Sequence, residues 1–536
     1  MAMTSPAAAL PARPGVSPNS KRAARVADRI VGDVMAMGWP VGELLGSEAD
    51  LLERYRVSRA VFREAVRLVE HKQVARTRRG PGGGLLITEP TVSAVIDAVV
   101  LYLYRVEARL DELFEARIVL EEIVAELAPG RLGEQDAARL RAFVEGTSPD
   151  PDPRALHALL ASISGNPALE LFVNVLNRVA MLYSSGWQNF GAAVAADTVY
   201  AHARIAEAVI GNEPALARQR MRKHLEAEAD YLRKRRSTRQ LLPDRVVLLS
   251  QPSNGKRAEA VARRITQVVV GEGMQPGQLI GTERDLIERE GVSRAVLREA
   301  VRLLEHHQIA RMRRGPGGGL FVFEPSAAAV TEIVAIYLAR RGMRVADLAE
   351  LRTGVETAIA GLAAARIEKD GVAAMRDALE REAAERETLE RMAARREAVE
   401  RMAARRAALD GAATGGAATN SAALGGAALG GAASGREASG PDDESVDVPQ
   451  DLHVTMAGTA RSRVLELVAL VFIRLYQIEH LAPAAWRQIR AEMQHAHEAI
   501  AAAVESGDRD LARDRMRSHL DAVAALTRQP ASGAEP

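Results

Sequence analysis

The chain has 536 residues and a mass of 57.6 kDa, more than one hydrophobic core organises, so several domains are expected. Hydrophobic residues make up 47% and charged residues 26%, which excludes a chain disordered throughout. Cysteine is absent, which excludes disulfide frameworks, thiolate zinc sites and cysteine nucleophiles. The net charge of +1 says nothing for or against nucleic acid, so any such signal has to be local. With 4% aromatics and abundant Ala and Arg, helices are favoured over aromatic-rich sheets.

Residues 1–20 are rich in Ala and Pro and lack the continuous apolar run of a signal peptide, so they read as a disordered tail. The apolar run Val95–Tyr104 is interrupted by Asp97 and is too short to span a bilayer. A cytoplasmic protein with no membrane partner is expected.

The sequence contains itself twice. Residues 21–90 and 256–325 align without a gap, with roughly 43 of 70 positions identical. Val57–Leu68 recurs as Val292–Leu303 with Leu297 replacing Phe62, and Arg78–Leu85 recurs unchanged as Arg313–Leu320. The later halves are more diverged but keep Arg117 and Glu121 as Arg352 and Glu356. A period this long is a duplicated two-domain unit rather than a solenoid. It predicts a first small domain over 21–90, a helical domain over 91–235, a linker over 236–255, the second small domain over 256–325 and a second helical domain over 326–528, then a tail. The second copy carries about 61 extra residues, near 384–445. They begin as a charged helical segment, in which Glu390–Arg396 repeats at Glu400–Arg406, and end in a Gly/Ala/Ser tract from about Gly411 to Gly440. The tract reads as flexible, and the charged repeat as a protruding helix held by i,i+4 pairs.

Within the first small domain, Ser47–Arg54 reads as a short helix capped by Ser47, and Val57–Glu70 as a second helix capped by Ser58. At 100° per residue Val61, Ala65, Leu68 and Val69 share one face, and Arg59, Arg63 and Arg67 line another. The gap between the helices makes a helix-turn-helix, and an arginine stripe there suits guanine edges or phosphates in the major groove. Gln73–Arg79 and Leu85–Thr88 read as two strands around the turn Gly80–Gly84. Together they predict a winged helix with arginines at the wing tip. A solvated, purely structural arginine face is the alternative; recurrence of the whole constellation in the second copy argues for DNA.

These motifs (Glu-x-Asp-Leu before the turn, Val-Ser-Arg-x-x-x-Arg-Glu-Ala-x-Arg-x-Leu-Glu, and the Arg-Arg-Gly wing) resemble the winged-helix domain of the GntR family of bacterial transcriptional regulators, over about a quarter of the chain. The resemblance implies operator contacts from Arg284, Arg294, Arg298, Arg314 and Gly315 in the second copy and from Arg59, Arg63, Arg79 and Gly80 in the first. Two departures stand out. Ala49 occupies the position of Arg284, and Gly46 and Gly281 replace the usual Pro before the first helix, which is expected to loosen its start.

After each wing, Leu110–Leu127 and Val345–Ala365 have helical periodicity and resemble the first long helices of the FadR-type FCD ligand-binding domain. The fold class is therefore mainly α, with two winged helix-turn-helix domains each followed by an all-helical antiparallel bundle. Eight of eleven histidines fall in matched pairs: His71/His306, His157/His453, His202/His497 and His224/His519. His202 and His224, like His497 and His519, straddle a turn, so antiparallel helices place both rings at one height, roughly 14 Å from the turn. His157 or His453 from another helix would complete three nitrogen ligands for Zn²⁺ or a similar divalent ion; buried structural histidines are the alternative. His71 and His306 read as contacts at the end of the recognition helix.

The FCD resemblance implies a metal that holds a carboxylate effector, with Arg117 and Arg352 as effector-binding residues. The family's Asp, four residues before the first histidine, is Pro153 or Pro449 here, and Asp152 reads as a helix cap. Gly165-Asn166-Pro167 fits the family in the first copy, whereas Arg461-Ser462-Arg463 stands in the second, so metal is expected foremost in the first helical domain.

The sequence thus predicts a ligand-responsive transcriptional repressor acting on an imperfect inverted repeat. The tandem serves as an intramolecular pseudo-dimer that could dimerise again. An architectural DNA-binding protein is the alternative. An enzyme using the His-lined cavity finds no support, since no Gly-x-Ser-x-Gly elbow or phosphate loop is present.

Overall fold

The structure, a computed structural model, describes residues 18–78, 80, 82–147, 152, 154–183, 192–235, 257–306, 309–313, 315, 317–323, 327–414, 452–478 and 483–527. Arg79, Arg314, Pro153, Pro449, the side chains of His71 and His306, the expected linker and most of the Gly/Ala/Ser tract lie outside what it describes.

The first winged helix comprises α1 (Pro18–Ala36), β1 (Leu44–Gly46), α2 (Glu48–Tyr55), α3 (Arg59–His71), β2 (Ala75–Arg78) and β3 (Gly84–Ile87). Helix α1 starts inside the stretch read as tail, with Pro18 at the first position, where its missing N–H costs no hydrogen bond. Ser47 caps α2 in a reciprocal capping box with Asp50, and Ser58 accepts the Val61 N–H at 3.4 Å to start α3. The turn between them passes through Arg56 in the left-handed region, φ 51°, where the second copy uses Gly291 at φ 60°. Val61, Ala65 and Val69 are buried against α1 and the sheet, as the periodicity predicts.

The wing is a three-stranded sheet of order β1-β3-β2, not the two strands expected. Gly46 is part of β1, and the capping box that follows it is intact, so the helix start is not loosened. Its carbonyl fixes the glycine opposite, since a Cβ on Gly84 would lie 2.2 Å from Gly46 O.

The first helical domain contains α4 (Val92–Arg105), α5 (Leu110–Leu127), a 3₁₀ turn at Pro129–Arg131, α6 (Glu134–Val144), α7 (Ala155–Ile163), α8 (Pro167–Tyr183), α9 (Ala192–Ile210) and α10 (Pro214–Arg235). The second winged helix repeats the first: α11 (Arg257–Gly271), β4 (Leu279–Gly281), α12 (Glu283–Glu290), α13 (Arg294–His306), β5 (Ala310–Arg313) and β6 (Gly319–Val322). The second helical domain has α14 (Ala327–Arg340), α15 (Val345–Arg366), α16 (Lys369–Thr414), α17 (Leu452–Thr459), α18 (Arg463–Ile478), α19 (Pro483–Glu505) and α20 (Arg509–Thr527). The charged repeat belongs to α16, a 46-residue helix that starts where the first copy has the 11-residue α6. Asp152 does not cap α7: its carboxylate accepts the Arg154 N–H at 2.9 Å, and the residue at the helix boundary is Arg154.

The two copies pack on each other through α5 and α15. Arg131 pairs with Glu350 and donates to the Ser164 carbonyl. At the equivalent positions Arg366 Nη1 meets Glu115 at 3.2 Å and the Ala460 carbonyl at 2.7 Å. One set of contacts made twice in reverse is the mark of a two-fold, isologous interface, here within a single chain. Asn166 adds a bond from Nδ2 to Asp347 O at 2.8 Å while its Oδ1 accepts from Ala168 and Leu169 at the start of α8. Each winged helix also touches the opposite copy. Ile336 of α14 joins the apolar core of the first winged helix, and Arg105 of α4 donates to Met274 O of the second at 2.6 Å.

A Gly84→Ala chain is expected to lose about 1–3 kcal/mol of local stability, because backbone must move to admit the methyl. Gly32→Ala, on an exposed face of α1 with open space around it, gains up to about 1 kcal/mol from helix propensity. Hydrogen exchange over residues 18–36 and 44–87 checks both.

Candidate functional site

The reading surface is built first by helix capping. Ser58 fixes the start of α3, and Ser293 does the same for α13, accepting the Val296 N–H at 3.4 Å. That orientation leaves Arg59, Arg63, Arg294 and Arg298 exposed at the helix start, with Arg284 exposed on α12. Arg63 Nε lies 4.0 Å from Glu48, and Arg294 and Arg298 lie 3.1 and 3.8 Å from Glu283. The arginine side chains in these pairs are 68–71% exposed, so each pair contributes about 0–1 kcal/mol and readily yields to a phosphate or guanine. Gly80 and Gly315, both at φ 101°, form the tip turns, a conformation that glycine adopts without strain. Arg78 steadies the first tip by donating to Gly82 O at 2.8 Å, and Arg313 lies over the Phe321 ring at 4.4 Å in the second.

The second site lies inside each bundle. Helices α7, α9 and α10 bring His157, His202 and His224 together, their Nε2 atoms 3.1–3.3 Å apart. Helices α17, α19 and α20 bring His453, His497 and His519 together, with 3.2 Å between the first two Nε2 atoms. All six rings are buried. Three nitrogens bound to a tetrahedral ion at 2.0–2.1 Å would lie about 3.3 Å apart; the first triad matches this at all three pairs and the second between His453 and His497, so each can hold a divalent cation with a coordination position left open. The Nε2 of His519 is buried without a hydrogen-bond partner, which is costly for structural histidine and suits a metal ligand. The second copy thus also brings three buried histidines together, although the sequence pointed to the first.

Each triad is oriented by a buried carboxylate. Glu121 pairs with His157 Nδ1 and with Arg117 Nε at 2.8 Å, and Glu356 lies 2.7 Å from both His453 Nδ1 and Arg352 Nε. A carboxylate that accepts the Nδ1–H leaves Nε2 unprotonated and aimed at the centre. Burial alone would raise these carboxyls, yet the adjacent guanidinium and imidazole hold Glu121 and Glu356 at about 2. Burial first, then the surrounding histidines and the nearby Arg117 or Arg352 guanidinium, pushes His224 and His519 down to about 3 and His202 well below its usual value. His202, His224 and His519 are thus held neutral, as ligation requires.

The copies differ around this centre. Arg117 is fully buried and also donates to Glu228 at 3.0 Å and Asn177 at 3.1 Å; the second copy has Val523 and Ile473 at those positions. His497 Nδ1 instead gains Glu382 of α16 at 2.8 Å, where the first copy has Thr147. Sequence reading missed the orienting role of Glu121 and Glu356, although their i,i+4 spacing from arginine was visible, and it missed Glu228, Asn177 and Glu382 altogether.

His224 and His519 titrate near 6.5 in an unfolded chain and near 3 in the fold. The stability contributed by their neutral forms is complete above about pH 6.5 and is lost as pH falls towards 3. Metal-free chain should lose stability on acidification from pH 6.5 to 4, and His224→Gln with His519→Gln should flatten that fall in denaturant titrations.

Residues 112–227 and 386–522 match the FCD domain family, and residues 257–322 match the bacterial regulatory proteins of the gntR family; the first winged helix lies outside the latter match. Over 118 residues the chain is 30% identical to the uncharacterized HTH-type transcriptional regulator Rv0494 of Mycobacterium tuberculosis (strain ATCC 25618 / H37Rv), a stretch covering 22% of this chain and 48% of that protein. The chain thus spans about half the length of this curated relative. A Streptococcus agalactiae GntR structure aligns with 39% of this chain and 99% of its own at 23% sequence identity and a TM-score of 0.28. The gntR match is to bacterial regulatory proteins, and the curated relative is named a transcriptional regulator; residues 257–322 are thus similar to a gntR-family domain and residues 112–227 and 386–522 to FCD domains.

Proposed function

We propose that this chain is a sequence-specific DNA-binding transcriptional regulator, acting as a cytoplasmic repressor, whose operator affinity responds to a metal-bound carboxylate effector in the helical domains. One observation carries the reading: two capped recognition helices in one chain each present paired, exposed arginines (Arg59 with Arg63, Arg294 with Arg298) beside a glycine-tipped wing. Among the described residues no helix is long and apolar enough to cross a membrane.

In this reading Arg59, Arg63, Arg294 and Arg298 meet base edges or phosphates, and Arg79, Gly80, Arg314 and Gly315 reach the backbone or minor groove. Arg284 adds a contact that Ala49 cannot make, so the two half-sites differ. The isologous packing of α5 on α15 supports a pseudo-dimer on an imperfect inverted repeat.

Each histidine triad would hold one divalent ion such as Zn²⁺, which supplies an open coordination position for a carboxylate oxygen. Arg352, which meets Glu356 through Nε, would meet that carboxylate in the second site. Arg117 meets one only by exchanging Glu228. The Asn177 Nδ2, buried without a partner, offers the first site a donor for a bound ligand. Effector binding then shifts the placement of the reading helices by a coupling of about 1–3 kcal/mol.

Arg59→Ala and Arg294→Ala should each weaken specific operator binding by roughly 1–3 kcal/mol. Gel shifts that find both variants unchanged refute direct readout. An operator affinity that no added Zn²⁺ or carboxylate alters would favour an architectural role. Elemental analysis of zinc-saturated protein should find two ions per chain, falling to one in His202→Ala with His224→Ala.

A further inference from the structure

The far end of the first recognition helix is tied to the other copy. Lys72, the residue that ends α3, places Nζ 2.7 Å from Asp28 of α1 and 3.0 Å from Glu332 of α14. Glu332 in turn receives Arg474 of α18 at 3.0 Å. One helical turn further along α14, the fully buried Ile336 inserts into the apolar core of the first winged helix. The side chains of Lys72, Glu332 and Arg474 are only 14–20% exposed. A shielded pair of this kind costs far more to break than the surface pairs at Glu48 and Glu283, because the remaining charge stays poorly solvated.

The corresponding positions at the second winged helix carry a different set of residues. At the positions of Asp28, Lys72, Glu332 and Arg474 the chain has Arg263, His307, Asp97 and Arg178. The alternation of acid and base is gone, since Arg263 stands where an acid would balance the position after the recognition helix. Burial also pushes the Asp97 carboxyl up to about 6 against the pull of Arg178, whereas Arg474 and Lys72 bring Glu332 below its usual value despite burial. Arg105 on Met274 O ties this second junction.

We propose that the two reading heads are cross-wired and unequally tethered: Lys72, Glu332 and Arg474 are positioning residues through which the first recognition helix reads the state of the second helical domain. The path is short and made of rigid elements. Helix α18, which carries Arg474, packs on α17, which carries His453 of the second triad. A change at that triad that shifts α18 therefore reaches Lys72 through one shared carboxylate. The second head is coupled to the first helical domain more weakly. This deepens the regulatory reading above and rests on it for its biological consequence, but the tether itself is tested without DNA.

The test is hydrogen exchange on the full chain. Glu332→Gln, a change in the second helical domain, should raise exchange in residues 68–72 by about tenfold or more while residues 303–306 change less than about twofold. Lys72→Met should give the same pattern, which guards against a folding defect peculiar to Glu332→Gln. Asp97→Asn should raise exchange at 303–306 by less than about threefold. Unchanged protection of α3 in both tether variants, or equal loosening of α13, overturns the proposal. In a second arm Zn²⁺ is added to metal-free chain. Protection gained at 68–72 should vanish in His497→Ala with His519→Ala and persist in His202→Ala with His224→Ala; the reverse pattern shows wiring within each copy and overturns it. A chain that binds no Zn²⁺ defeats the metal reading alone, and the Glu332→Gln comparison then decides the tether.

Discussion

The architecture depends on the packing of α5 against α15. Because Arg131–Glu350 and Arg366–Glu115 are the same contact made in opposite directions, the two halves of one chain are related as subunits of a symmetric dimer. Covalent linkage removes the concentration dependence of that association, since the second half is always present at high effective concentration. It also frees the halves to diverge, because a substitution now alters one side only. Ala49 against Arg284, Thr147 against Glu382, and Asp28 against Arg263 are changes of that kind.

Divergence has not been uniform. The histidine triads, the carboxylates that orient them and the arginines at each recognition helix are retained in both halves. What differs is the surroundings: which acid steadies which ring, and which charges join a winged helix to the bundle beneath it. Retained chemistry with altered couplings is what two inequivalent inputs and two inequivalent half-sites require. The buried Arg–Glu–His series also explain how charged groups survive in these cores, since Arg117 meets Glu121, Glu228 and Asn177, and Glu121 also meets His157.

Much of this was legible in the sequence because it was encoded locally and written twice. The helix over Leu110–Leu127 has the bounds its periodicity predicts, and Ser47 and Ser58 cap the helices they were expected to cap. The histidine spacing about a turn was enough to bring His202 and His224 to one height. Strand β1 escaped because three residues show no period, and Gly46 looked like a defect until its carbonyl was seen to face Gly84. The start of α1 was hidden by Pro18, which reads as tail and acts as a first-turn residue. Lys72 with Glu332, and Glu382 with His497, are separated by 260 and 115 residues respectively; pairings across such distances leave no local pattern. The exchange of Glu228 and Asn177 for Val523 and Ile473 was visible in the alignment, but it acquires meaning only beside Arg117.

The most direct examination of the whole picture is a footprint on operator DNA combined with the measured mass of the complex. One chain should protect two half-sites of unequal strength, arranged as an imperfect inverted repeat, because both arginine-bearing helices sit on winged helices that each touch the opposite copy of one packed pair of bundles. A complex in which each chain covers a single half-site, or protection without sequence preference, would contradict it.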